Sequence, residues 1–588
     1  MSKIKMLNDL NNEQKQAVEH TEGPSIILAG AGSGKTRVLT YKVMYLIEEK
    51  KVDPFNIVMM TFTNKAAKEM QERVGVKIGF SGTFHTFGAL MLRKYGRFIN
   101  ISSDYVIYDE DDSISLIKNI LKTVNYYKKI SPNYVKNIIS SAKDNLLSPD
   151  EYARFASSGM DEIVAEVYKK YQNKLQKTNT LDFDDLIFKT VKLFELNEDI
   201  LKRCQQQYTH ILVDEFQDTN AGQYQLVRHL GGTKGNITVV GDFAQSIYSW
   251  RGADIKNLEK FEEDFKNTQI FHLEQNYRST QNVLDFAYDI ISHNETHPVL
   301  KLYTNNAHGE DVGLIELENE EQEAVFIAKE IEKISGNDDY ADIAILYRMN
   351  AQSRVIEEAF LHYGIPYVLI GGTRFYERKE IKDILSYIRV IVNPLDEVSL
   401  ERIKKLGKRR FEKFNQELEK LNNAKDKLTT DEVIQKVFTL TSYLELYDEN
   451  DPEDFSRIEN IKELRSVAMA FPNINDFLQQ VALVESEYSE SEKSGKNKNG
   501  VHLMTLHQAK GLEFPFVFII GLEEGILPHS RALYDQHEIE EERRLLYVGI
   551  TRAKKKLFIS YVQRRFLFGR RIYAQVSRFI EEKVREEL

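Results

Sequence analysis

The 588-residue sequence has one cysteine, Cys204, and one tryptophan, Trp250. A lone thiol excludes an internal disulfide framework and a cysteine-rich metal site. Its place in a helical stretch makes Cys204 an inert core or flanking residue. No apolar run approaches the ~18 residues of a membrane span, and the opening MSKIKMLNDLNNEQ lacks the apolar core of a signal peptide. The chain therefore reads as soluble and cytoplasmic, with no membrane partner. Positive charge is not in excess either: 79 Lys and Arg against 90 Asp and Glu leave a net −11. Any nucleic-acid contact must then use local basic surfaces, because no global field attracts phosphate. There are no internal repeats. The length suits roughly four domains of about 150 residues, and 42% hydrophobic residues suffice for several cores.

The most informative segment is Ile26-Ile27-Leu28-Ala29-Gly30-Ala31-Gly32-Ser33-Gly34-Lys35-Thr36. An apolar strand pattern gives way to small residues, then Gly-Lys-Thr, then a helical pattern over residues 37–49. This is the order of a nucleoside triphosphate site. Glycines let backbone N–H groups turn toward phosphate oxygens, and the helix N-terminus adds partial positive charge. Lys35 is placed to reach the β- and γ-phosphates and the Thr36 hydroxyl to ligate Mg²⁺. Ala29 stands where the usual motif has its first glycine, so the strict pattern fails by one residue.

Further strands are expected at residues 25–30, 56–63, 210–215, 237–242 and 269–274, then 342–348, 366–371, 501–507, 516–522 and 556–562. Most are continuously apolar, as in parallel sheets covered on both faces, so the chain should hold two α/β sheets. Residues near 93–199 and 379–498 lack such runs and read as helical insertions. Residues 491–500 have linker composition.

His210-Ile211-Leu212-Val213-Asp214-Glu215-Phe216-Gln217-Asp218 ends a strand in adjacent carboxylates, at the sheet edge where α/β proteins bind ligands. Alternation gives the two side chains different directions. Asp214 suits the Mg²⁺ shell and Glu215 the activation of the attacking water. An acidic pair closing a strand is often only a solvated turn; pairing with the phosphate loop favours the catalytic reading. The acidic run Asp182, Asp184 and Asp185 has no adjacent His or Cys and is read as a helix start, with Asp as cap and dipole partner. Residues 538–544 similarly form the charged beginning of a helix.

With these motifs in order from Leu10 to about Phe579, the chain resembles a UvrD/Rep/PcrA-type superfamily 1 DNA helicase. Leu10-Asn11-Asn12-Glu13-Gln14 resembles the adenine-reading segment, with Gln14 as reader. Thr61-Phe62-Thr63-Asn64-Lys65 and Thr83-Phe84-His85 resemble early DNA-contact motifs. Gly241-Asp242-Phe243-Ala244-Gln245 through Trp250-Arg251-Gly252-Ala253 resembles motif III, and Gln275-Asn276-Tyr277-Arg278-Ser279 motif IV. Thr505-Leu506-His507-Gln508 through Glu513 resembles motif V, and Tyr547-Val548-Gly549-Ile550-Thr551-Arg552-Ala553 motif VI.

The resemblance implies an α/β fold of two RecA-like P-loop motor domains with parallel sheets, each interrupted by a mainly helical insertion. Residues 1–92 and 200–278 would form the first motor and 93–199 its insertion. Residues 279–378 and 499–588 would form the second, with 379–498 a shortened insertion. Implied ligands are ATP, Mg²⁺, single-stranded DNA and single/double-strand junctions. The implied activity is 3′–5′ translocation with duplex unwinding in repair or replication. Residues 29–37 (Ala29, Gly30, Ala31, Gly32, Ser33, Gly34, Lys35, Thr36, Arg37) would hold nucleotide with Gln14, Tyr277 and Glu513. Tyr277 would stack on adenine with Arg37 on its other face, and Glu513 would hold the ribose. Arg278 and Arg552 would act as arginine fingers, hydrolysis then requiring the two halves to close. Gln245 would report the γ-phosphate to the DNA side. DNA contacts would come from Phe62, Asn64, His85, Tyr248, Trp250, Arg251, His507 and Phe568.

Trp250 is flanked by polar Ser249 and Arg251, which suits base stacking better than core packing. Residues 551–571 hold Arg552, Lys554, Lys555, Lys556, Arg564, Arg565, Arg570 and Arg571 without an acidic residue, interleaved with Phe558, Tyr561, Phe566 and Phe568. That composition fits DNA binding or a solvated strand edge. Phe216 replaces the family's usual tyrosine, and Ala244 replaces a common aspartate beside Gln245, which could weaken coupling of ATP to DNA. No Gly-Ile-Gly turn occurs near Gly407, leaving duplex contact there open. The residues after Ala553 are too few for an appended nuclease, and the partner-binding tail of some relatives is missing. Two alternatives stay open: a translocase that displaces proteins but unwinds weakly, and a non-catalytic nucleic-acid-binding scaffold.

Overall fold

Strand β1 (Ser25–Ala29) is buried along its whole length, and its side chains alternate between two cores. Ile26 and Leu28 enter one core while Ile27 and Ala29 enter the other. In β2 (Ile57–Thr61) Val58 and Met60 likewise part from Ile57 and Met59. A parallel strand covered on both faces has no side left for polar residues, which explains the continuous apolar runs. The computed structural model describes residues 7–124, 126, 130–232, 235–336, 339–449, 451–493, 499–567, 570–581 and 583. They fall into two units: Met1–Arg278 with Ile291–Asn306, and Ser279–Ile290 with Ala307–Leu588.

In the first unit β3 (Phe80–Thr83) follows β2, and β4 (Val106–Tyr108) pairs in parallel with β5 (Thr180–Asp182). Then come β6 (His210–Val213), β7 (Ile237–Gly241) and β8 (Gln269–Leu273). The six-stranded sheet has the order β3-β2-β6-β7-β1-β8, with every pair parallel. The residues following β1, β6 and β7 therefore meet at one sheet edge. A short parallel pair, β9 (Gln275–Asn276) and β10 (Tyr303–Thr304), lies beyond β8 in sequence.

The segment between β4 and β6 is mainly helical and has its own core, built on Ile117, Val135, Ile139, Tyr168 and Tyr171. The β4–β5 pair is an addition to the all-helical insertion expected from sequence. The acidic run at 182–185 is structural, as expected, and begins helix Asp185–Leu196, but it also holds a cation. Asp182 and Asp185 hold the buried Lys143 ammonium at 2.6 and 3.1 Å, and Tyr171 Oη donates to Asp182 at 2.9 Å. Asp182 also accepts the Asp185 backbone N–H.

The second unit contains β11 (Gly313–Leu317), β12 (Ile343–Tyr347), β13 (Tyr367–Leu369), β14 (Val501–Thr505), β15 (Phe514–Ile519) and β16 (Ala553–Val562). Their order is β11-β16-β15-β12-β14-β13, again all parallel. A hairpin of β17 (Arg564–Leu567) and β18 (Arg570–Tyr573) follows. Between β13 and β14 run helices from Lys379–Val392 to Ile474–Lys493, with no strand among the described residues. Their side chains Ile384, Phe414 and Leu464 share one core with Ile345, Leu503 and Phe518 of the sheet. The first insertion has a separate core; the second does not.

The α/β class with two parallel sheets is as expected, and two local readings are corrected. Strands β3 and β11 were missed because they are short, partly exposed edge strands with glycine rather than continuous apolar runs. Helix Ile474–Lys493 extends into the expected linker, and residues 494–498 of that linker lie outside the described residues. Residues 538–544 lie in helix Gln536–Ile550 as expected, and the structure adds that Glu540, Glu542 and Arg544 are buried, with Glu542 accepting a two-pronged guanidinium contact from Arg348 at 2.7–3.0 Å. Among the described residues no helix is long and apolar enough to cross a membrane.

Candidate nucleotide and nucleic-acid sites

The loop after β1 turns through Gly32 at φ +65° and Gly34 at φ +88°, conformations L side chains rarely adopt. Gly34 caps helix Lys35–Glu48, leaving its first N–H groups without a side-chain cap and pointing to the loop mouth. Ser33 N–H and Oγ both donate to Gly30 O, at 3.2 and 2.8 Å. Lys35 Nζ donates to Ala29 O and Gly30 O at 3.2 and 3.3 Å and lies 3.9 Å from Asp242 Oδ2.

The segment after β8 is laced onto this loop. Asn276 Nδ2 donates to Ala31 O at 2.7 Å, Tyr277 N–H to Gly32 O at 3.0 Å, and Arg278 N–H to Asn276 Oδ1 at 2.7 Å. A Cβ on Gly32 would fall 2.7 Å from Asn276 Nδ2 and 2.8 Å from Arg278 Cβ, so no larger residue fits. Arg278 and Tyr277 thus sit beside the phosphate loop, Tyr277 with a 45% exposed ring. Arg37 lies over Tyr41, 5.4 Å from its centroid. Gln14 is buried behind the loop. Its Nε2 donates to Ser33 O at 2.9 Å and its Oε1 accepts Asn11 N–H at 3.2 Å, so both ends of the amide are engaged.

Asp214 follows β6. Burial, with Glu215 beside it, pushes its carboxyl up to about 7, while Lys35 pulls the other way. Glu215 adopts φ +51°, a left-handed conformation for a non-glycine residue. Such strain costs roughly 1–3 kcal/mol and gathers at functional sites. Gln217 Nε2 donates to Glu215 Oε2 at 2.6 Å, and Gln217 Oε1 accepts the Asp242 N–H at 3.0 Å. Asp242 Oδ2 accepts Gln245 Nε2 at 2.5 Å. An unbroken chain therefore joins Glu215, Gln217, Asp242, Gln245 and Lys35. Ala244 is buried, and the carboxylate partner of Gln245 is Asp242. Sequence reasoning gave Gln217, Asp242 and Asn276 no role. Asp242 closes an apolar strand as Asp214 does, so the same rule could have found it.

Past Gln245 the chain enters the Tyr248–Trp250 loop. Trp250 is 52% exposed, Arg251 lies 4.5 Å over its ring and Tyr248 6.5 Å away. Phe62 is half-buried, edge-on to Phe84 at 6.0 Å. Asn64 is exposed in the first turn of helix Asn64–Val74. His85 stacks 4.3 Å from Phe183, and burial lowers its imidazole to about 4 against the pull of Asp184. His85 is thus neutral at pH 7, a ring and hydrogen-bonding group and not a phosphate-binding cation. Phe183, read from sequence as part of a helix start, presents a 55% exposed ring in the same place.

In the second unit His507 is half-buried just past β14. Glu513 pairs with Lys554 at 2.7 Å. Arg552 is buried, its Nε donating to Val548 O, Nη1 to Leu512 O and Nη2 to Thr551 Oγ1 at 2.9–3.2 Å. Phe568 lies outside the described residues.

Part of the basic stretch 551–571 is turned inward, while Lys555, Arg564 and Arg571 remain exposed. Lys556 pairs with Glu310 at 2.5 Å, and Arg565 is buried between Glu323 and Glu523 at 2.8 and 2.6 Å. Phe558 and Tyr561 belong to the core. The acidic partners come from distant sequence, so composition within the stretch could not reveal them.

A phosphate loop and two strand-end carboxylates on a parallel sheet define a P-loop nucleotide-binding architecture. The UvrD/REP helicase N-terminal domain matches residues 10–266, and the UvrD-like helicase C-terminal domain matches residues 271–421 and 406–564. The ATP-dependent DNA helicase PcrA of Bacillus subtilis is 42% identical over 98% of this chain and 86% of its own length. The PcrA proteins of Staphylococcus epidermidis and Staphylococcus aureus are each 41% identical over the same shares. The chain belongs to the UvrD/REP helicase family.

Proposed function

We propose that this protein is an ATP-dependent DNA helicase that tracks single-stranded DNA in the 3′–5′ direction and unwinds duplex at single/double-strand junctions, in repair or replication. A cytoplasmic location is part of that reading. So are motor halves at 1–92 with 200–278 and 279–378 with 499–588, and insertions at 93–199 and 379–498. The observation that carries it is the chain from Lys35 and Glu215 through Gln217, Asp242 and Gln245 to the Tyr248–Trp250 loop. It joins a site for phosphate chemistry to an exposed aromatic surface.

In this reading Lys35 neutralises phosphate oxygens, Glu215 takes a proton from the attacking water and Gln217 fixes the Glu215 carboxylate. Arg278 and Arg552 supply transition-state charge, and Glu513 with Tyr277 holds the nucleoside. The hard oxygens of Asp214 and Thr36 suit Mg²⁺, which binds through one or two carboxylates together with substrate phosphates. Asp214 fits that role because it is a buried carboxylate whose pKa is raised by desolvation and by Glu215 beside it, a charge that a bound cation would relieve. Bound there, Mg²⁺ would offset charge on the β- and γ-phosphates. Separating a base-pair step costs on average ~1.4 kcal/mol and stacking a base on an aromatic returns about 1–3 kcal/mol. Melting is thus nearly balanced, and ATP makes the motion directional. ATPase measured with and without single-stranded DNA, and strand displacement from 3′- against 5′-tailed duplexes, test the proposal. Absence of DNA stimulation would defeat it.

Because the Asp214 carboxyl stands near 7, binding of the magnesium nucleotide should release a proton below neutrality. Calorimetry at pH 6.5 in buffers of different ionisation enthalpy should register that release, and Asp214→Asn should abolish it. Affinity should rise with pH up to about 7 and level off above, since the deprotonated carboxylate binds the cation.

Trp250→Ala should cost roughly 1–3 kcal/mol of single-strand affinity and blunt DNA stimulation while sparing basal turnover. Unchanged affinity would assign the ring to packing alone.

Residues 401–413 carry seven basic and two acidic side chains, and Lys404, Lys405, Lys408, Arg409 and Lys413 are exposed. Arg402 is instead tied to Asp383 at 2.6 Å. If this surface meets duplex phosphates, replacing Lys408, Arg409 and Arg410 with alanine should flatten the salt dependence of junction binding. The slope should fall by up to ~0.9 for each phosphate no longer neutralised. An unchanged slope would leave the segment a solvated helix face.

A further inference from the structure

The Trp250-Arg251-Gly252 turn is braced by a residue of the first helical insertion. Asp144 ends helix Pro132–Asp144 and accepts Asn220 Nδ2 on its Oδ1 at 2.7 Å. Its other oxygen lies against Gly252: a Cβ there would fall 3.1 Å from Asp144 Oδ2. Gly252 sits at φ +83°, a conformation that favours glycine, and Asp144 leaves a Cβ there only a tight fit, two residues after the exposed indole.

Asn220 is the other half of the joint. It caps helix Ala221–Gly231, its Oδ1 accepting the Gln223 N–H at 2.8 Å. Its neighbour Thr219 accepts the Asp254 N–H at 3.0 Å and Asn257 Nδ2 at 2.8 Å through its carbonyl. The insertion bonds the segment leaving the Asp214-Glu215 strand end at Asn220, and the turn carrying Trp250 packs on Asp144 and is tied to the neighbouring Thr219.

We infer that the Asp144–Asn220 contact is a positioning joint through which the first insertion holds the Trp250 turn in register with the ATP-site carboxylates, so that DNA on the aromatic surface stimulates hydrolysis. The inference rests on the helicase reading above. Neither residue touches nucleotide or DNA in this scheme. The joint is also electrostatically tense: burial, then Asp184 and Asp182, push the Asp144 carboxyl up to about 7 while Lys136 opposes them. The Asn220 amide is thus a needed donor to a carboxylate that is costly to bury.

Asn220→Asp tests this because Asp caps a helix as well as Asn does yet sets two carboxylates face to face. Asp144→Asn combined with Asn220→Asp restores the bond with donor and acceptor exchanged. As the only tryptophan, Trp250 reports the turn directly by fluorescence. In the full chain, Asn220→Asp should keep basal ATPase near wild type when assayed well below its unfolding midpoint, which the second buried carboxylate lowers. It should reduce stimulation by single-stranded oligo-dT roughly five- to tenfold, the scale of coupling between groups in contact, and alter DNA-induced quenching of Trp250. The exchanged pair should recover both readouts. Wild-type stimulation in Asn220→Asp, an equal loss of basal and stimulated turnover, or no recovery in the exchanged pair would each overturn the inference. A wild-type protein that DNA does not stimulate would instead remove the helicase reading, and the joint's role with it.

Discussion

Replacing Glu215 with Gln should leave ATP and DNA binding intact and reduce ATP turnover by about 10²–10⁴-fold, the usual contribution of a positioned general base. The carboxylate is presented by a left-handed turn at φ +51° and fixed by Gln217 Nε2 at 2.6 Å. The Gln amide keeps the size of the group and removes its ability to take a proton. The phosphate loop, with Lys35 and the Gly32 and Gly34 turns, is untouched. Lys35→Ala should behave differently, weakening nucleotide binding itself. Single-turnover hydrolysis alongside fluorescent-nucleotide binding separates the two. A Glu215→Gln protein turning over at near wild-type rate would assign the base elsewhere.

Replacing Arg565 with Met should destabilise the second unit by about 3–5 kcal/mol, the cost of stranding buried charge. Arg565 lies between Glu323 and Glu523, at 2.8 and 2.6 Å, and all three are buried. Glu523 also accepts the Val562 N–H, and Glu323 accepts Ser560 Oγ and the Gly521 N–H, so the network ties β16 to its neighbours. Removing the guanidinium leaves two facing carboxylates without their cation. Hydrogen exchange of the β15 and β16 amides should quicken by roughly two to three decades. Replacing all three with Met, Leu and Leu should recover only part of the loss: it removes the stranded carboxylates but leaves the Val562 and Gly521 N–H groups and the Ser560 hydroxyl without their acceptors. Were Arg565 a DNA-contact residue, the single change would weaken DNA binding and leave exchange unaltered.

The two cases mark where sequence suffices and where it fails. The strand, phosphate loop and helix of residues 25–48 are legible because every determinant is local: an apolar run, glycines at positive φ, then Lys-Thr at a helix start. The placement of Asp214 and Glu215 at a strand end is local in the same sense. The basic stretch 551–571 was not legible. Lys556 and Arg565 are paired with Glu310, Glu323 and Glu523, and no local pattern marks those as partners. The acidic run at 182–185 is the helix start expected of it, but its cation, Lys143, belongs to another helix and could not be read locally.

The sequence alone determined the class of fold and the family, through short-range patterns that backbone geometry and phosphate chemistry impose on neighbouring residues. Only the tertiary structure decided which charges are spent on the interior. It made Gln217 and Asp242 the link between Glu215 and Gln245, held His85 neutral by burial, and brought Asp144 of the insertion against Gly252. Each turns on a contact between residues distant in sequence, Gln217 with Asp242, His85 with Phe183 and Asp144 with Gly252, where distance and desolvation, which composition does not record, set the chemistry.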